Sequence, residues 1–336
     1  MFSSLARAVS RALVSSAAAI AVCGACTVAP PAQVADRRIG VGAAAHPAAH
    51  SAADPIVVHG SVRDARGRSA PYRGLGTWVD IYDHRQLARP SAAVRRMDRR
   101  GVRTLFVETA NYASPRAVVH KRAMRGFLHA AHKRGMRVIA WYLPSFADLR
   151  LDRARSLAAI DFRTRRGHRF DGFGLDIEAT TVRSVPVRLR RLLRLSHQIR
   201  RAAGHGYSLG AITPSPYGMR AMPGYWGRVG RFPFRELARV YDVVAPMSYF
   251  TYRVHGARAV SEYVRYNIRT VRRLSGNRSV RVHPVGGIAN ETNRREVRAY
   301  VRVVRHRDAL GGSLYDFPRT TREHWRVLGR IPPTSR

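Results

Sequence analysis

The chain has 336 residues, a formal net charge of +39 and 45% hydrophobic residues, and its only cysteines are Cys23 and Cys26. That hydrophobic content is ample for a core and excludes a wholly disordered chain. With no thiol after residue 26, disulfides and cysteine ligands are excluded from the body of the protein.

Residues 1–26 have the order of an export signal: Arg7 and Arg11, an apolar run over 12–22, then small residues. The run is too short for a membrane span, which needs roughly 20 residues. Gly24-Ala25-Cys26 resembles a lipoprotein processing site, with Cys23 where a leucine is usual. Lipidation of Cys26 and ordinary cleavage nearby both stand as expectations. Residues 27–58 are rich in Ala, Pro, Val and His without periodicity and read as a linker. One domain is then expected over 59–336, a length that suits a (β/α)8 barrel.

From there short apolar runs alternate with arginine-studded helical patterns, the mark of βα units and a parallel sheet. Strands are predicted over 75–81, 104–108, 137–142, 172–178, 207–212, 243–249, 282–286 and 312–316. Helices are predicted over 114–134, with Val118, Met124, Phe127 and Leu128 at helical spacing, and over 187–203 and 320–328. Gly101, Gly135 and Gly204 each follow a basic helical stretch, as C-terminal caps do. Eight such units make an α/β protein of the (β/α)8 TIM-barrel type. A doubly wound open sheet would carry a glycine-rich turn after its first strand, but Gly74-Leu75-Gly76 precedes it.

Chemistry concentrates in Phe170-Asp171-Gly172-Phe173-Gly174-Leu175-Asp176-Ile177-Glu178. Strand alternation sends Phe173, Leu175 and Ile177 outward and Gly174, Asp176 and Glu178 inward, with Glu178 nearest the C-terminal rim. Inward carboxylates at that end of a barrel mark its active site, and their proximity raises the proton affinity of one of them. A buried ionic network with Arg or Tyr partners is the competing explanation. Asp80, Asp83, Glu108 and Asp316 close other strands and could supply a second carboxylate opposite Glu178.

The segment from Asp171 to Glu178 resembles the fourth-strand signature of family 18 glycoside hydrolases, the chitinase-like barrels. Asp171, Asp176 and Glu178 match three of its four acids, and Gly174 replaces the middle Asp. Ala245-Pro246-Met247-Ser248-Tyr249-Phe250 is similar to the family's Met-x-Tyr-Asp motif, with Phe250 in place of the Asp, and Tyr315 stands where the family usually has a Trp. The resemblance implies a substrate-assisted retaining mechanism. Glu178 would be the general acid, and Asp176 would orient the substrate's N-acetyl group. Tyr249 would hydrogen-bond that group. Asp171, Trp78, Asp80, Glu108, Tyr142, Met247, Tyr315 and Asp316 are expected to bind substrate, and Trp141, Tyr217, Trp226 and Tyr252 are further aromatic candidates.

The substrate expected is an oligo- or polysaccharide containing N-acetylhexosamine, cleaved by a secreted or envelope-associated monomer without a cofactor. An inactive glycan-binding scaffold is the rival, favoured by Gly174 and Phe250. Arginine spread along every helix, against only Lys121 and Lys133, suggests codon bias and adhesion to anionic envelope material. No specific nucleic-acid partner is expected, because no basic block is interleaved with aromatics. No metal is expected either: there is no HExxH, and His129 and His132, three apart on a helix, lack an acidic partner at suitable spacing. Neither a Gly-x-Ser-x-Gly elbow nor a Walker loop is present.

Overall fold

The computed structural model describes residues 67–307 and 309–332. The expected export signal, the linker and Cys26 lie outside the described residues. Within them eight parallel strands close into a barrel in sequential order. The strands are β1 (Gly74–Val79), β2 (Thr104–Asn111), β3 (Arg137–Leu143), β4 (Gly172–Asp176), β5 (Leu209–Pro214), β6 (Val243–Met247), β7 (Val285–Ile288) and β8 (Gly311–Tyr315). One principal helix follows each: α1 (Pro90–Asp98), α2 (Lys121–His132), α3 (Leu149–Ile160), α4 (Val185–Ala203), α5 (Phe234–Val240), α6 (Ala257–Leu274), α7 (Arg294–His306) and α8 (Arg322–Leu328). The (β/α)8 expectation is met, and every predicted strand has its counterpart. Gly101, Gly135 and Gly204 all take positive φ, at 79°, 66° and 74°.

Several boundaries moved by two or more residues, and two of them have clear local reasons. The helix predicted from 114 starts at Lys121, because the Ser114 carbonyl is taken by Arg155 and the Val119 N–H bonds Thr109. The seventh strand runs from Val285 instead of from 282, since Pro284 has no N–H to give a ladder.

Alternation along the strands divides the interior in two. Leu75, Val107, Val138, Phe173, Leu175, Leu209 and Val244 are buried in the apolar layer beneath the helices. The inward set fills the barrel itself. Trp78 stacks on Phe106 at 4.1 Å, and Phe106 meets His283 edge-on at 5.3 Å. A polar thread runs through this floor. The His283 Nδ1–H donates to the Tyr72 carbonyl (2.8 Å), Nε2 is 3.2 Å from Ser313 Oγ, and Trp78 Nε1 donates to the same hydroxyl (2.8 Å). Because a carbonyl can only accept, the tautomer is fixed, and burial lowers the His283 pKa to about 4, which keeps the ring neutral.

Tyr72, from the turn Ala70–Tyr72 before β1, closes the N-terminal end, with its hydroxyl donating to the Phe173 carbonyl at 2.8 Å. Its ring occupies space that only a glycine at 210 leaves free, since a Cβ there would lie 2.7 Å from the ring. Gly210→Ala is therefore expected to cost about 1–3 kcal/mol through overpacking of a side chain with nowhere to go. Urea denaturation at pH 7 measures it; unchanged stability would mean that the plug is loose.

Candidate active site

At the C-terminal mouth the ends of four strands bring six acids together. Asp80 and Asp83 follow β1, Glu108 lies on β2, Asp176 and Glu178 end and follow β4, and Asp316 follows β8. Asp80, Glu108, Asp176 and Asp316 are buried, and Glu178 is half-buried. Glu108 accepts the Ile81 N–H at 3.1 Å, Asp80 accepts the Tyr315 hydroxyl at 2.9 Å, and Asp83 accepts the Asp80 N–H at 3.1 Å. Arg319 is ion-paired with Asp316. Among the described residues no cation pairs with Asp176, Glu178, Glu108, Asp80 or Asp83. Other acids of this arginine-rich chain do have such partners: Asp171 pairs with Arg137 at 3.0 Å, and Asp242 with Arg68 and Arg200 at 2.7 and 2.8 Å.

Burial without a cation favours the neutral acid. Desolvation pushes Glu178 up to about 7. Glu108 rises to about 8, through burial and then the nearby Asp80 and Glu178. Asp176 is raised strongly, first by burial and then by Glu178 and Glu108. Asp83 rises to about 8 by burial beside Asp80, and Asp316 to about 6, restrained by Arg319. The Asp176–Glu178 pair thus holds a proton at neutral pH, which is the state a general acid requires.

The local sequence explains the placement of this pair. Phe173, Leu175 and Ile177 are fully buried beneath the helices, so the residues between them face the barrel. Glu178 lies just past the strand; its own carbonyl accepts the Trp226 indole N–H at 3.2 Å. Trp226 is fully buried beneath the Arg188 guanidinium, 4.7 Å from its ring centre, so it anchors Glu178 and offers no face to a ligand. Arg188 also donates to the Val182 and Tyr225 carbonyls. The segment Pro223–Trp226 thereby brings Tyr225 beside the acids, and its phenol is raised first by burial and then by Glu178 and Asp176. Tyr225 is absent from the aromatic candidates that the sequence offers, although its neighbour Trp226 is among them.

Tyr249 stands across from this loop, its phenol raised by burial and by Glu178 and Asp176, with its ring 6.4 Å from that of Tyr315. Tyr252 lies behind it at 6.2 Å. Met247 ends β6 and is 9% exposed. Trp78 and Trp141 form the floor, 6.0 Å apart in an edge-to-face contact.

Besides the buried Trp226, three of the expected site residues lie elsewhere. Asp171 precedes β4 and sits at the opposite, N-terminal end, bound by His132, Arg137 and the Val138 N–H. The five residues of β4, at roughly 3.3 Å each, separate it from the mouth. Tyr142 faces outward, its hydroxyl donating to Asp152 of α3 at 2.6 Å; alternation gives the inward position to Trp141 instead. Tyr217 packs against Tyr263 at 4.7 Å, in the helical layer. Phe250 is also buried away from the mouth, 6.1 Å from Tyr300 of α7. The space a side chain at 174 would need is filled by Ile212, whose Cδ1 is 2.9 Å from the position of a Cβ.

Solved structures share this architecture. A chitinase from Bacteroides thetaiotaomicron aligns with a TM-score of 0.55 at 14% identity, covering 77% of this chain and 96% of that one. An endo-1,4-beta-D-mannanase from Thermotoga petrophila aligns at 0.56 and 12%, covering 73% and 88%. A GH18 chitinase from Cycas revoluta, solved with (GlcNAc)4, aligns at 0.54 and 12%, covering 76% and 98%. The shared fold is the (β/α)8 barrel. At such identities the likeness concerns the fold alone. No protein-family model matches the sequence, and neither does any curated protein.

A raised carboxyl binds its proton more tightly in the folded than in the unfolded chain. Between about pH 4.5 and 8 the native state therefore holds more protons at Glu108, and its stability falls as pH rises through that window. Glu108→Gln should be about 1–3 kcal/mol more stable than wild type at pH 8.5, with the advantage vanishing below pH 4.5. Thermal unfolding across that range tests it; an advantage independent of pH would assign the effect to packing.

Proposed function

We propose that this protein is a retaining glycoside hydrolase acting on a glycan that contains N-acetylhexosamine. One observation carries the reading: Asp176 and the half-buried Glu178 share the barrel mouth with no cation paired to either among the described residues. Glu178, protonated up to about pH 7, donates its proton to the glycosidic oxygen as the C–O bond breaks. The substrate's own acetamido carbonyl attacks the anomeric carbon, a route that needs no protein nucleophile. Asp176 orients and stabilises that acetamido group, whose N–H suits its unpartnered Oδ1. Water then resolves the cyclic intermediate with Glu178 as base. Tyr249 and Tyr225 line the same space and can donate to the acetamido oxygen or a sugar hydroxyl. Asp80, Glu108, Met247, Tyr315 and Asp316 would contact flanking groups, with Trp78 and Trp141 beneath.

Export is part of the same proposal. The residues before 59 carry a signal, with Cys26 as a candidate lipid anchor, and the monomer's surplus of arginine would adhere to anionic envelope polymers.

The competing proposal is a glycan-binding barrel without turnover. It draws on Gly174, where Ile212 occupies the room a neighbouring acid would need beside Asp176.

Hydrolysis of chromogenic N-acetylglucosamine oligomers and of peptidoglycan, wild type against Glu178→Gln, separates the two. The expected result is turnover that drops at least 10²-fold in the variant. Binding by the wild type without turnover would favour the scaffold. The acid form is lost as pH rises, so kcat/KM should fall tenfold per pH unit above about 7. A profile flat to pH 9 would exclude Glu178 as the acid.

A further inference from the structure

At the N-terminal end of the barrel, opposite the mouth, a second group of side chains converges. His132 ends α2, and His168 lies on a short hairpin closed by the Arg163–Arg169 bridge. That hairpin is well held: the His168 N–H donates to Thr164 Oγ1 at 3.0 Å, and the Thr164 N–H to the His168 carbonyl at 2.9 Å. The two imidazoles meet nitrogen to nitrogen, Nδ1 to Nδ1, at 3.1 Å. On its other side His132 Nε2 is 2.9 Å from Asp171 Oδ2. Both rings are partly exposed and open onto a cleft of about 770 Å³.

We infer that His132 and His168 are the paired ligands of a divalent transition-metal ion bound at the bottom of the barrel. Three features carry this. Two imidazole nitrogens bound to tetrahedral Zn²⁺ at about 2.0–2.1 Å stand roughly 3.3 Å apart, and this pair already stands at nearly that separation. The carboxylate fixes the tautomer: Asp171 can only accept, so His132 carries its hydrogen on Nε2 and turns the Nδ1 lone pair toward the site. A carboxylate–histidine–metal relay has this form, and it raises ligand basicity. Both rings open onto the cleft, which leaves the remaining coordination positions to water.

Without metal, His168 Nδ1–H donates to His132 Nδ1. Metal entry moves that proton to His168 Nε2 through solvent, and both lone pairs then go to the ion with no change in oxidation state. Three nearby cations have partners other than the two imidazoles, Arg137 sharing Asp171 with His132 through the other carboxylate oxygen. Arg68 is paired with Asp242, Arg137 with Asp171, and Arg169 lies over the Tyr207 ring. Imidazole donors suit Zn²⁺, Ni²⁺ and Cu²⁺ and exclude Mg²⁺ and Ca²⁺. This site is separate from the acids at the mouth and independent of their role.

Calorimetric titration of the full chain with ZnCl₂ at pH 7.5 is the test. One tight equivalent is expected in wild type, weakened at least tenfold in His168→Ala, which sits on the partly exposed hairpin. A wild type without a tight equivalent, or a His168→Ala protein that binds as tightly, overturns the site. A second measurement needs no variant. Substoichiometric Co²⁺ should shift the imidazole resonances of His132 and His168 before those of the other histidines, and simultaneous shifts of all of them would contradict it.

Discussion

Carboxyl groups gathered inside a parallel barrel have to be neutralised by cations, by metal or by protons. In this protein protons serve Glu108, Asp83 and the Asp176–Glu178 pair, and Arg319 serves Asp316. Much of the surrounding architecture follows from that constraint. The floor beneath them is aromatic, with Trp78 stacked on Phe106, and low polarity there strengthens both the desolvation and the mutual repulsion of Glu108, Asp176 and Glu178. A dry floor also requires that the polar atoms deeper in the barrel satisfy one another, as His283, Ser313, Trp78 and the Tyr72 carbonyl do.

Arginine, so abundant in this chain, is kept from the acid pair by being given other acceptors. Arg155 donates to the carbonyls of Asn111, which ends β2, and of Tyr112 and Ser114 beyond it, and Arg188 to those of Val182 and Tyr225. Arg191 serves Phe146 and Ala147 in the same way. These guanidiniums tie down the loops around the mouth through backbone oxygens, which need donors and carry no net charge. Loop order and an unneutralised acid pair are thereby obtained together. The ion pairs of Asp171 and Asp242 lie at the far end of the barrel, where they clamp the strand starts.

The alternation of Phe173, Leu175 and Ile177 with Gly174 and Asp176 made the orientation of β4 legible from the sequence, because a period of two leaves no choice once one face is apolar. The same rule, applied at Tyr142, would have turned it outward; judging that residue by its aromatic character instead misplaced it. Asp171 shows a different limit. A motif spans the strand from end to end, so matching it in sequence does not bring all its residues to one site. Tyr225 and Trp226 depend on the buried Arg188, and the pairing of His132 with His168 depends on a hairpin 36 residues away. Such long-range partners leave no periodic trace in the chain.

The central claim is that the Asp176–Glu178 pair holds its proton at neutral pH. Carbon-13 NMR of protein labelled at the glutamate side-chain carboxyl, titrated from pH 3 to 10 and assigned with Glu178→Gln, measures it directly. The account predicts that the Glu178 resonance titrates near pH 7, far above the exposed glutamates. A Glu178 resonance titrating in the ordinary range, near 4.5, would contradict it.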